Sequence, residues 1–208
     1  MQFRCVLPGQ ECITSIDQQP TAYTQKENLM KILVLSDSHS AMRFMRTCVE
    51  KINPQAIVHL GDHYDDGETL KELYPHIPLH QVPGNCDRYR CPPWVQPRLC
   101  YDVCGVRLFM THGHKYGVKT NTAMLTAEAR AMHAAAALYG HTHVAEVYRE
   151  EGGMWVLNPG SAGYGGGSAG LIETENGAIL SCRILTLEDL EEFECVQRAD
   201  AGNANLIR

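Results

Sequence analysis

The strongest constraint on the fold is an alternation in the first half of the chain. Short unbroken apolar runs at Ile32–Ser36, Ala56–Leu60 and Leu79–Val82 are separated by segments with helical periodicity. Phe44, Met45, Cys48, Val49 and Ile52 recur at helical spacing over Ala41–Ile52, with Ser40 placed to cap that helix. A weaker helical pattern covers Glu68–Leu73. Strand, helix, strand, helix, strand predicts parallel strands joined by crossover helices, with a ligand site beyond their carboxyl ends. Asp37, Asp62 and Asn85 each fall just past such an end.

The second half is hairpin-like. Arg98–Val103 and Val106–Thr111 flank Cys104-Gly105, and the second of these runs delivers His112. An alanine-rich amphipathic helix is expected over Thr120–Ala135, followed by a strand at Ala136–Tyr139 that leads into Gly140-His141. Two more hairpins are expected, from Ala145–Glu150 with Trp155–Leu157 and from Gly170–Thr174 with Ala178–Leu185, the latter turning at Asn176-Gly177. The sum is an α/β fold with two packed sheets. No repeat is present, and the one low-complexity stretch is Gly160–Gly170, in which six of eleven residues are glycine.

Those strand ends carry an ordered set of metal-type ligands: Asp37-x-His39, Gly61-Asp62-x-x-Asp65, Gly84-Asn85-Cys86-Asp87, His112-Gly113-His114 and Gly140-His141-Thr142-His143. In extended backbone a spacing of two puts both side chains on one face, so these segments are expected to aim polar groups at one place. Burying carboxylates, imidazoles and an amide together is costly unless cations neutralise and coordinate them. Mixed oxygen and nitrogen donors without thiolate suit Mn²⁺, Fe²⁺, Ni²⁺ or Zn²⁺ better than Ca²⁺ or a cysteine-held structural zinc. With Asp62 as a bridge, two such ions would stand ~3.5–4 Å apart, close enough to acidify a shared water and clamp a phosphate. Two divalent ions less two carboxylates and a hydroxide leave roughly one positive charge, which suits a phosphodiester anion.

Other features bound the reading. A net charge of −6 over 208 residues, with no basic stripe, argues against tight nucleic-acid binding. No run approaches the ~20 apolar residues of a membrane span, and residues 1–29 lack the apolar core of a signal peptide, so a cytoplasmic address is expected. Residues 1–29 read as a polar extension, or as sequence upstream of a start at Met30; 30–187 read as one catalytic domain and 188–208 as an acidic tail. Nine cysteines at irregular spacing, with no partner pair for Cys100-x-x-x-Cys104, read mostly as reduced, buried thiols.

With these five blocks in this order, the chain resembles the calcineurin-like metallophosphoesterase superfamily, and within it the YfcE group of small phosphodiesterases, from about Met30 to Leu185. The resemblance implies a four-layer αββα sandwich of two mixed β-sheets flanked by helices. It implies two divalent transition-metal ions, manganese first, with nickel, iron or zinc also suited. Asp37, His39 and His143 would hold one ion, Asn85, His112 and His141 the other, and Asp62 would bridge them. The nucleophile would be a hydroxide between the metals, and the substrate a small phosphodiester or nucleotide-like molecule. Asp62, Asn85, Cys86 and His112 are the residues expected at the reacting phosphorus.

Two departures stand out. Much of the superfamily has histidine after the asparagine, as proton donor to the leaving group, oriented by the aspartate that is Asp65 here. This chain has Cys86, whose neutral thiol is a poorer donor near pH 7 than an imidazolium. After Asn158-Pro159-Gly160-Ser161, relatives often carry Pro-Arg, whereas this chain has Tyr164 in a glycine run, read here as a mobile surface loop rather than an anion-binding one.

Plainer roles are expected elsewhere. His59, His63, His76, His80 and His133 read as structural, His114 equally as structural or as a cleft contact, and Asp87 equally as a brace for the Asn85 loop. Met42, Phe44 and Met45 read as core, and Glu188–Glu194 as a solvated short helix. Alternative functions are a phosphomonoesterase or nucleotide pyrophosphatase on the same site, and a non-catalytic scaffold like the retromer subunit of this fold. Exposed edge strands leave self-pairing into a homo-oligomer open.

Overall fold

The computed structural model describes residues 29–192. The expectations for residues 1–28 and 193–208 lie outside the described residues.

The first half folds as its pattern predicts. Strands β1 (Met30–Leu35), β2 (Ala56–His59) and β3 (Leu79–Gln81) are parallel neighbours, joined by helices α1 (Met42–Ile52) and α2 (Tyr64–Leu73). In the second half β4 (Arg98–Val103) and β5 (Val106–Thr111) form the expected hairpin, and helix α3 (Ala123–Ala131) precedes β6 (Ala136–Leu138). Antiparallel pairs β7 (Glu146–Arg149) with β8 (Trp155–Asn158), and β9 (Ser168–Glu175) with β10 (Ala178–Thr186), complete the order. The last pair turns through Asn176 and Gly177 at φ 50° and 79°, the left-handed conformations that a tight hairpin turn requires.

Two mixed five-stranded sheets result, ordered β10-β9-β1-β2-β3 and β4-β5-β6-β8-β7. Alternation along β1 explains the layering. Ile32 and Val34 face the second sheet and pack with Val58, Leu108, Met110, Leu138 and Leu157. Leu33 and Leu35 face outward, beneath Met45, Cys48, Val49 and Ile52 of α1 and Leu70 of α2. On the opposite outer face, Leu125 and Ala129 of α3 cover Phe109, Ala137 and Val156. This is the αββα sandwich, with the central strands of both sheets buried on both faces. Met42, Phe44 and Met45 are core or packed against it, as read from sequence.

Three local expectations are corrected. Ser40 does not cap α1: the N-cap is Ala41, without a side-chain bond, and the Ser40 N–H instead donates to Asp66 Oδ2 at 2.8 Å. Helix α2 starts at Tyr64, not Glu68, because Asp87 from a distant loop accepts the N–H groups of His63 and Tyr64. Helix α3 is shorter than Thr120–Ala135. His133 turns left-handed at φ 57° and the Ala134 N–H reaches back to the Ala129 carbonyl, closing the helix before the alanines that enter β6.

Residues 187–192 are helical and seat Leu190 in the core, so this stretch is only partly solvated. Asp189 accepts from the Thr186 N–H and hydroxyl at that helix's start. All six described cysteines are free, but only Cys48 and Cys182 are buried, with burial pushing their thiols up to about 12. No helix among the described residues is long and apolar enough to cross a membrane.

Candidate metal centre

The loops beyond β1, β2, β3, β5 and β6 meet at one end of the sandwich and are tied by backbone bonds. Asp37 N–H donates to the Gly61 carbonyl, Ser38 N–H to Asp62, and Gly140 N–H to His112. The convergence differs from the extended-strand picture. Asp37, His39, Asp62, His141 and His143 all lie at positive φ, between 43° and 71°, a conformation disfavoured for side-chain-bearing residues. Five such residues in one cluster is strained backbone held by its surroundings, a pattern that concentrates at functional sites.

Two glycines make the approach possible. A Cβ on Gly84 would stand 2.0 Å from Asp62 Oδ1, and one on Gly140 would stand 1.9 Å from Ser36 Oγ and 2.7 Å from Asp37 Oδ2. Any larger residue at either place would displace a carboxylate.

One atom from each of Asp37, His39, Asp62 and His143 lies within 4.8 Å of the other three. Asp37 is fully buried; its Oδ2 accepts from Ser36 Oγ at 2.7 Å and the His141 N–H at 3.0 Å. Its Oδ1 and the Nε2 of His39 are buried without a hydrogen-bond partner, although His143 Nε2 stands 3.1 Å from that Oδ1. An orphaned carboxylate oxygen beside an orphaned imidazole nitrogen is costly unless a cation lies between them.

The adjoining group is built around His112. Its Nδ1–H donates to the Leu60 carbonyl at 2.8 Å, which leaves the Nε2 lone pair facing inward. Facing that nitrogen are Asn85 Oδ1 at 3.1 Å, Asp62 Oδ1 at 3.5 Å and Asp37 Oδ1 at 4.0 Å, all acceptors. His141 packs edge-on to His112, with ring centroids 5.1 Å apart. A ring nitrogen surrounded by oxygen lone pairs fits divalent-cation coordination, with Asp62 shared between the two groups. The residues present therefore fit the metals that the sequence blocks imply.

Electrostatics agree. Burial, then His63, lowers the pKa of His39, and burial with His112 and Lys119 lowers that of His141 to about 4. Burial works to raise the Asp62 carboxyl, but His112 and the Cys86 N–H hold it below its ordinary value. At neutral pH these three groups are deprotonated and ready to coordinate.

Buried carboxylates outside the ligand set shape the loops. Asp87 is fully buried and accepts three backbone N–H groups, from His63, Tyr64 and Gly84, at 2.8–2.9 Å. It is the brace of the Asn85 loop. Asp66 accepts from Ser38 Oγ and Ser40 N–H, tying α2 to the Asp37–Ser40 loop. Asn158 donates to the Gly140 carbonyl and Thr142 Oγ1, and Ser161 Oγ donates to the Asp37 carbonyl at 2.7 Å. Sequence reasoning assigned no role to Asp66, Asn158 or Ser161; the signal for the last two was their place in the Asn-Pro-Gly-Ser block.

All seven expected ligands thus gather in one cluster. Cys86 sits exposed at its edge, receiving a hydrogen bond from Asn85 Nδ2 at 3.3 Å; burial and Asp62 push its thiol up. Asp65 points elsewhere, 3.3 Å from Arg90 at the surface. His63 is at the rim rather than remote, its ring 5.0 Å from that of His39. His59, fully buried, bonds Ser38 Oγ; His80 bonds Tyr101; His76 and His133 are exposed away from the cluster. His114 faces the site, 5.4 Å from His112, ring to ring. Tyr164 reaches from the glycine-rich segment to stack on His143.

The chain is similar to known proteins in sequence and in fold. A match to the calcineurin-like phosphoesterase superfamily domain runs over residues 30–177. The probable metallophosphoesterase YsnB of Bacillus subtilis is 31% identical over 135 residues, 64% of this chain and 75% of its own. The phosphodiesterase YfcE of Escherichia coli K12 is 28% identical over 158 residues, covering 64% of this chain and 79% of its own. Among solved structures, a predicted phosphoesterase from Streptococcus pneumoniae superposes with a TM-score of 0.61 at 26% identity, over 76% of this chain and 90% of that one.

Proposed function

The chain belongs to the calcineurin-like phosphoesterase superfamily, in the company of YfcE-type phosphodiesterases, and as a metal-dependent phosphoesterase of that superfamily we propose that it hydrolyses phosphodiesters. The observation that carries the reading is the pairing of orphaned, buried Asp37 Oδ1 and His39 Nε2 beside a His112 Nε2 ringed by oxygens. Asp37, His39, Asp62 and His143 would hold one ion, and Asp62, Asn85, His112 and His141 the second, with manganese the first candidate. When bound, such a pair lowers the pKa of a shared water to supply the nucleophile and neutralises the phosphoryl oxygens.

The chain's own groups set the rest. The Leu60 carbonyl fixes the His112 tautomer, the Ser36 hydroxyl and His141 N–H orient Asp37, and the Cys86 N–H orients Asp62. At the leaving group stands Cys86, a neutral thiol with no imidazole in its place, which favours aryl leaving groups that depart without a proton. No guanidinium stands in the segment just after Ser161, Ala162 to Gly167. The Tyr164 ring stacked on His143 there adds no charge, so a singly charged diester suits the centre better than a doubly charged monoester.

Metal analysis of the purified chain, with rates on bis-p-nitrophenyl phosphate and p-nitrophenyl phosphate before and after chelation, tests the reading. Bound metal and a faster, chelator-sensitive diester rate are expected. A faster monoester rate would assign a phosphomonoesterase, and absence of both metal and turnover would assign a scaffold.

A further inference from the structure

On the Asn85 side of the metal-ligand cluster opens a cleft of about 330 Å³, lined by Gly84, Asn85, Arg88, Pro97, His114 and Lys115 among others. Two cations and an imidazole face it, and among the described residues no carboxylate lines it. Neither Arg88 nor Lys115 has an ion-pair partner among the described residues, and the Arg88 guanidinium rests only over the neighbouring Tyr89 ring at 5.6 Å. The nearest acid in sequence, Asp87, is buried with both oxygens committed to backbone N–H groups. His114 Nδ1 is buried without a hydrogen-bond partner. A cleft of one sign with low-dielectric walls, here the two prolines Pro83 and Pro97, concentrates an anion, and a guanidinium beside an ammonium is a phosphate-binding pair.

The cleft is continuous with the centre through Asn85, whose Oδ1 stands 3.1 Å from His112 Nε2, and His114 packs on His112 at 5.4 Å. Resting on the phosphodiesterase reading of that centre, we infer that the cleft is a subsite for a second phosphate of the substrate, separated from the scissile one by a short spacer. Arg88 and Lys115 take its oxygens, beside the His114 ring that lines the same cleft. The substrate class is a diester with an additional phosphate on one arm, and Arg88 and Lys115 determine specificity without touching the reacting phosphorus.

The test uses the metal-loaded full chain and inhibitors of bis-p-nitrophenyl phosphate hydrolysis. Alkanediol bisphosphates with spacers of two to five carbons are compared with monoalkyl phosphates of the same length. The best bisphosphate is expected to inhibit about tenfold more tightly than its monophosphate, the size of one charge-assisted contact. That advantage should vanish in the Arg88→Gln/Lys115→Gln double variant and persist in Arg46→Gln, on α1. The same bisphosphate, and not the monophosphate, should protect Lys115 from acetylation, read by mass spectrometry. Equal inhibition at every spacer length, or an advantage that survives the double substitution, overturns the subsite. Should no phosphodiester be hydrolysed, the diester reading fails by itself, and Lys115 protection still decides whether the cleft holds a phosphate.

Discussion

Tyr164 lies nearly flat on His143, with ring centroids 5.3 Å apart and planes 17° from parallel. It meets His39 edge-on at 5.0 Å, so a single aromatic ring holds two of the expected ligands of one ion. Aromatic pairs of this kind contribute about 0.5–1.5 kcal/mol beyond burial. Tyr164→Ala is expected to raise the metal concentration for half-maximal activity about two- to tenfold, and Tyr164→Phe to leave it near the wild-type value. A metal titration of diester hydrolysis checks this.

Metal binding should stabilise the fold as well as supply the chemistry, because it satisfies Asp37 Oδ1 and His39 Nε2, which the protein leaves unpartnered. At a hundredfold excess over Kd the gain is about 2.7 kcal/mol, a rise in Tm of roughly 5–10 °C for a chain of this size. Asp37→Asn is expected to abolish that rise in thermal scans with and without Mn²⁺.

Cys86 is the residue proposed for the leaving-group side, and its thiol is shifted upward by burial and Asp62. Cys86→His is expected to speed alkyl diesters by about ten- to a hundredfold while changing aryl diesters little, since general acids typically contribute ~10²–10⁴ only where a proton is needed. Unchanged ratios of alkyl to aryl rates would remove the thiol from the leaving-group side.

Asp87 braces the Asn85 loop through three backbone N–H groups while fully buried. Asp87→Ala strands those donors and should cost about 3 kcal/mol or more of stability, with a loss of metal affinity from the displaced Asn85. Urea unfolding and metal titration of the same variant measure the two effects.

His59 is fully buried and burial lowers its pKa to about 4. Because the ordinary value is 6.5, the unfolded chain binds this proton first as pH falls. The contribution is fully present above pH 6.5 and is lost between there and about 4, on the order of 3 kcal/mol in total. Unfolding free energies measured at pH 7.5, 5.5 and 4.5 should fall in that window for the wild type, and fall less for His59→Phe.

The succession of strands and helices, the hairpins and the polar blocks at strand ends were legible because each is a local pattern. Apolar runs of strand length and helical spacing of Phe44 to Ile52 reflect which side chains face a core, and Asn176-Gly177 encodes its own turn. The seven residues proposed as ligands were likewise readable as residue types at strand ends. What only the tertiary structure decided is the conformation and bracing of those ends. Left-handed backbone at Asp37, His39, Asp62, His141 and His143 is unfavourable locally and persists because distant groups over-determine it. Asp87 reaches 24 residues back to His63, Asp66 reaches 26 back to Ser40, and Ser161 reaches 124 back to Asp37. The same long-range geometry sends Asp65 out to Arg90, lays Tyr164 on His143 and starts α2 a turn early. Contacts between residues far apart in sequence leave no periodicity to read, so the chain's pattern specifies which groups arrive at the centre and the packed fold specifies how they are held.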